Sequence, residues 1–187
     1  MIPRIGKLAI VTLVALMALT GCSGKTKVES DLRIKGAPDW VNEGTRYLAD
    51  KKGRLFHGVG SAPEMGDEAM QIYTADQRAR AELAQILNSY LDVVSKDYTA
   101  AASAGGESAA EQSVTRQIES ITQVNLTGAE IIGRWKDKRT ANIYSIAELD
   151  MKHIKRTLDQ VETMNSGLNT FIGTQGDSIF DRLVGGQ

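Results

Sequence analysis

One cysteine and two histidines are the only thiol and imidazole groups in 187 residues. No intrachain disulfide can form, and a cysteine- or histidine-built metal centre lacks its donors. Charge of either sign is not in excess, the formal net charge being −1, which argues against a surface built to neutralise phosphate backbones, so nucleic acid is not an expected partner. No continuous apolar run approaches the ~20 residues that a bilayer core of ~30 Å requires. Leu8 to Leu19 is an uncharged stretch of twelve residues with Thr12 as its polar member. Apolar residues at 42% and charged residues at 24% still describe a chain that folds, and the length suits one modest domain with appendages.

Catalytic motifs are also missing. His57 and His153 fall in different expected elements, with no carboxylate cluster at ligand spacing beside either. The expectation is a strand residue for His57 and an exposed helix residue for His153. Gly58-Val59-Gly60 lacks the third glycine and the βαβ setting of a dinucleotide loop, and no P-loop or Gly-x-Ser-x-Gly elbow occurs. Asn125-Leu126-Thr127 spells a glycosylation acceptor, a short match that carries little weight by itself. A site needs nucleophile, base and stabiliser together. No catalytic, cofactor-binding or metal-binding residue is therefore assigned, and the expectation is a non-enzyme without cofactor.

What is present begins at the N-terminus. Arg4 and Lys7 precede the apolar run, which ends in Leu19-Thr20-Gly21-Cys22. A basic start, a short apolar stretch and small residues before a cysteine form a secretory signal, residues 1–21. The tetrapeptide resembles the lipobox of bacterial lipoproteins. That resemblance implies cleavage before Cys22, acylation of its sulfur and amine, and lipid anchoring by two or three chains. Ser23, standing where inner-membrane lipoproteins often carry Asp, implies the outer membrane, with the body facing the periplasm or the cell surface. Loss of Arg4 and Lys7 leaves 20 of the 22 basic residues against 23 acidic ones, a net of −3.

Residues 22–37 read as a lipidated, polar tether that reaches roughly 20 Å as a coil and about 50 Å when extended. The folded domain is placed at 38–166. Its expected class is α+β: a small sheet of two β-hairpins with a long helix and a helical hairpin. Arg46 to Ala49 and Leu55 to Ala62 flank Asp50-Lys51-Lys52-Gly53 as the first hairpin. Glycines at 58 and 60 on one face of the second run imply that another backbone presses there. Asp67 caps a long helix to about Ala101, with Ile72, Ala75, Ala79, Leu83, Leu87, Leu91 and Val94 on one stripe. Asp76–Arg80 and Arg78–Glu82 are expected as ion pairs on its outer surface. Ser108-Ala109-Ala110-Glu111 matches a capping box for a second helix continuing through Ile121. Glu130 to Trp135 and Ala141 to Asp150 form the second hairpin, and a helix follows from Met151.

Trp40 and Trp135 suit either a partner or membrane contact or the closing of the core at sheet edges, and packing is the preferred reading. Residues 167–187 read as a glycine-rich tail. Asp177 to Val184 within it is either a short helix whose apolar patch docks on a partner or a frayed end.

Pro38-Asp39-Trp40-Val41, then Phe56-His57-Gly58-Val59-Gly60-Ser61-Ala62, then Ala79-Arg80-Ala81-Glu82-Leu83-Ala84, then Arg134-Trp135 and Tyr144 to Asp150, resemble the Lpp-twenty lipoprotein family over roughly Pro38 to Val161. Family members commonly carry Tyr where His57 stands. The resemblance implies a dodecin-like strand-helix-strand-strand core and a structural or assembly role, because the family includes the flagellar P-type outer-membrane lipoprotein that forms rings around the basal body. Self-association or binding to envelope proteins follows as an expectation. The alternative is a lipid-anchored binding module that regulates an envelope enzyme.

Overall fold

The computed structural model describes residues 33–44, 53–104, 111–161 and 164–185. All the elements described belong to one compact unit that begins at Ile34. Its elements are α1 (Asp39–Glu43), β1 (Leu55–Ala62), α2 (Glu68–Ala104), α3 (Glu111–Leu126), β2 (Glu130–Lys136), β3 (Ile143–Asp150), α4 (Met151–Thr157), a 3-10 turn (Leu158–Gln160) and α5 (Ser166–Gly185). The fold is α+β, and the strands and long helix follow in the expected order.

The three strands form one antiparallel sheet in the order β1-β3-β2. β3 is central, with Ile143, Ser145, Ile146, Ala147 and Leu149 all buried and drawn from both of its faces. β2 and β3 make the expected second hairpin. β1 pairs with β3 from Leu55 opposite Asp150 to Ala62 opposite Ile143. The partner strand proposed at 46–49 and the capping box at 108–110 lie outside the described residues.

α2 is laid across one sheet face. Asp67 accepts from the backbone N–H groups of Ala69 and Met70 at 2.8 and 3.2 Å, so the cap forms as the sequence indicates. The helix touches β1 through backbone. A Cβ at Gly58 would stand 2.2 Å from the Ala79 carbonyl oxygen, and one at Gly60 would stand 2.2 Å from the Ala79 nitrogen. Glycine is the residue that allows this approach, and Ala75, Ala79 and Ala147 complete a contact of small groups. At 1.5 Å per residue the helix is about 55 Å long. Its second half runs on past the sheet, where Leu87, Leu91 and Val94 join Val114, Ile118 and Ile121 of α3 in the core.

Four expectations need correction. The folded part starts before Pro38: the Ile34 N–H donates to Asn42 Oδ1 and Asn42 Nδ2 donates back to the Ile34 carbonyl, at 2.8 and 3.2 Å. Asp76 is buried rather than on the outer surface, because position 76 falls inside the apolar stripe that faces the sheet. His153 is half-buried, its ring pressed onto Gly128, where a Cβ would lie 2.2 Å from Nε2. Residues 167–187 are not a loose tail. Up to Gly185 they are helical, and Leu168, Ile172, Ile179 and Phe180 are buried in the main core. Gly176 marks close packing here, since Tyr90 reaches its carbonyl at 3.1 Å and a Cβ would meet the phenol oxygen at 2.7 Å.

Candidate functional site

Cys22, the lipid-attachment residue read from the sequence, lies outside the described residues. Inside the body the chemistry is distributed over the two sheet faces and one end.

On the helix-covered face, β2 presents Arg134 to Asp76 of α2. Nε and Nη2 donate to the two carboxylate oxygens at 2.9 and 2.7 Å, and Ser145 Oγ on β3 adds a third bond at 2.7 Å. Burial alone would raise the Asp76 carboxyl. The bonds from Arg134 and Ser145 outweigh it and hold the group below the ordinary carboxylate range. All three groups are occupied by one another, so the arrangement fastens helix to sheet. The sequence signal for it is an acidic residue inside an apolar stripe, which demands a buried partner.

On the opposite face, His57 and Glu148 are register partners on β1 and β3. Nε2 lies 2.9 Å from Oε2, and Nδ1 is buried without a hydrogen bond. His57 is thus a buried strand residue, and His153 belongs to α4. Among the described residues no three His, Cys, Asp or Glu side chains come together to hold a metal ion. Asn125 is fully buried, donating to the Ile121 carbonyl and accepting from Thr157 Oγ1, so its side chain is closed to modification in this fold.

A shallow groove of about 460 Å³ lies between α2 and α3, lined by polar side chains that include Asp92, Ser95, Lys96, Thr99 and Thr115. Asp92 and Lys96 are neighbours one turn apart on α2.

The end of the body that carries the β2–β3 turn differs in character. Trp135 and Tyr144, register partners, bring their rings to 5.6 Å on the face away from α2. Trp40 of α1 approaches the same strand, 4.0 Å from a Cβ position at Gly133. The first turns of α2 meet this end through Gln71, which donates to the Ala141 carbonyl at 2.8 Å. They expose Met70 and Tyr73 by 53% and 59%. Lys138 and Arg139 stand exposed in the turn itself. Among the described residues no helix is long and apolar enough to cross a membrane.

No protein-family model matches the chain, and no curated protein matches it.

Proposed function

We propose that the protein is an outer-membrane lipoprotein, acylated at Cys22, whose body has a structural or assembly role in the cell envelope, as at a flagellar base. The observation that carries this reading is Leu19-Thr20-Gly21-Cys22 at the end of a twelve-residue apolar run behind Arg4 and Lys7. The assembly role rests on the resemblance to the Lpp-twenty family. The use of polar groups supports it too: Asp76, Ser145, Asn125 and Thr157, all buried, and the half-exposed Arg134 bind elements of the body to each other.

Cys22→Ala is the direct test. The variant is expected unprocessed or released from the membrane fraction, whereas fully processed variant in the outer membrane would refute acylation at this residue. Large oligomers in detergent and impaired motility on deletion are expected from the assembly role. A monomer that crosslinks in cells to one envelope enzyme would replace that role with a regulatory one.

A further inference from the structure

We propose that the β2–β3 turn end of the body rests on the lipid surface, with the α2–α3 hairpin pointing away from it. This inference depends on acylation at Cys22 and adds an orientation to it.

Chain length supplies the first argument. Twelve residues lead from Cys22 to Ile34, a span of at most about 40 Å and about 20 Å as a coil. Ile34 is fastened to Asn42, and Trp40 in the same segment lies against Gly133, two residues before Trp135 on β2. The anchor therefore joins the body beside β2. Asp76, paired with Arg134 of that strand, is 28 residues from the end of α2 at Ala104, about 42 Å along the helix axis. A tether of about 20 Å would hold the β2 end near the bilayer, and full extension to about 40 Å is needed before its span matches the length of the hairpin.

Side-chain chemistry supplies the second. Met70 and Tyr73 are two of the three large apolar side chains exposed among the described residues, and both belong to this end. Trp135 and Tyr144 add half-exposed aromatic rings on the other side of the sheet. Tyrosine and tryptophan favour the headgroup region, where an apolar ring and a polar edge are both satisfied. Exposed Lys138 and Arg139 suit lipid phosphates. Several nearby carboxylates are engaged: Asp137 accepts from the Arg139 N–H and Thr140 Oγ1, Glu68 binds Lys136, and Asp67 caps α2. Glu64 is a further exposed acid there, as are Asp39 and Glu43 beside Trp40.

The chain has two tryptophans, both at this side of the body, so its intrinsic emission reports on the surface in question. Purified acylated full chain is reconstituted into phosphatidylethanolamine–phosphatidylglycerol vesicles with or without lipids brominated at shallow acyl positions. Emission is expected to fall by about half with the brominated lipid, in the wild type and in Trp40→Phe, where Trp135 alone reports. Met70→Ser combined with Tyr73→Ser, both at exposed positions, is expected to remove most of the quenching while the protein still floats with the vesicles. Vesicle-bound, acylated wild type whose emission is not quenched would overturn the orientation and leave the lipoprotein reading intact. So would emission shielded by a second copy of the chain in place of lipid. Absence of acyl mass on Cys22 together with loss of flotation would overturn both.

Discussion

Arg134 and Asp76 meet two atoms to two, joining an edge strand to the helix that crosses it, at 2.9 and 2.7 Å. The carboxylate side is largely buried, whereas the guanidinium side chain remains 47% exposed. Arg134→Gln strips the carboxylate of its charge partner and is expected to destabilise by about 1–3 kcal/mol, less than a fully buried pair because water already reaches the guanidinium.

The same pair has a pH signature. Asp76 titrates below its ordinary value of 3.8 in the folded state. Its contribution is therefore complete above that value and is lost as pH falls through it toward the depressed folded one. Urea midpoints of wild type and Arg134→Gln should differ most at pH 7, and the difference should narrow as pH falls below 3.8. A difference that stays constant over this range would show that the ion pair is not its source.

Gly58 and Gly60 face helix backbone, which cannot rotate aside as a side chain does. Gly58→Ala and Gly60→Ala are each expected to destabilise by about 1–3 kcal/mol through overpacking. Gly173 is the contrasting case, an exposed helical position with nothing within 4 Å of an added Cβ. Gly173→Ala is expected to stabilise by about 0.5–1 kcal/mol, since alanine holds a helix better than glycine. Thermal melts of the three variants check both signs.

Phe180 sits edge-on to Phe56 at 5.0 Å and faces Tyr90 at 6.5 Å. Phe180→Ala is expected to remove about 3–5 kcal/mol from the body. An unchanged melting temperature would return α5 to the status of a detachable tail. Burial, with Asp177 nearby, pushes the Tyr90 hydroxyl well above its ordinary value of 10.0. Stability linked to it is complete below pH 10 and declines above. In an ultraviolet titration, one of the five tyrosines should stay protonated until the fold opens.

Ala141 adopts φ 56° in the turn after Asp137, a left-handed conformation in which its methyl crowds the backbone. Ala141→Gly is expected to gain about 0.5–1 kcal/mol, the relief of strain exceeding the entropy that glycine adds to the unfolded chain. A lower urea midpoint would contradict this.

Features written in neighbouring residues were readable without coordinates. The Asp67 cap, the stripe along α2 and the glycines at 58 and 60 all depend on spacing of a few positions. The hairpin around Lys138 is equally local. Features that depend on a distant partner were not readable. Gly176 looks like flexibility until Tyr90, 86 residues away, is seen to occupy the space beside it. The apolar period of α5 skips position 176 for that reason. Asp76 looked like half of a surface pair with Arg80, because its partner on β2 is 58 residues further on. His153 was assigned to solvent for want of any local sign that Gly128 would receive its ring. The proposal for Cys22 is the reverse case, resting entirely on the residues just before it.

The register of β1 on β3 joins Leu55 to Asp150 and Ala62 to Ile143, so the sheet closes loops of 81 to 95 residues. Contacts so remote in sequence slow a folding reaction, because loop entropy is lost before any pairing compensates for it. The α2–α3 hairpin is local and can form early, and it is the segment that returns the chain to β1. If the chain is exported as proposed, β1 leaves the channel well before β3 and has no strand to pair with until residues 143–150 have followed. The β1 segment would then wait unpaired while the remainder is delivered. Its refolding, followed in vitro by tryptophan emission, should take milliseconds to seconds where a purely helical chain of similar size would take microseconds to milliseconds.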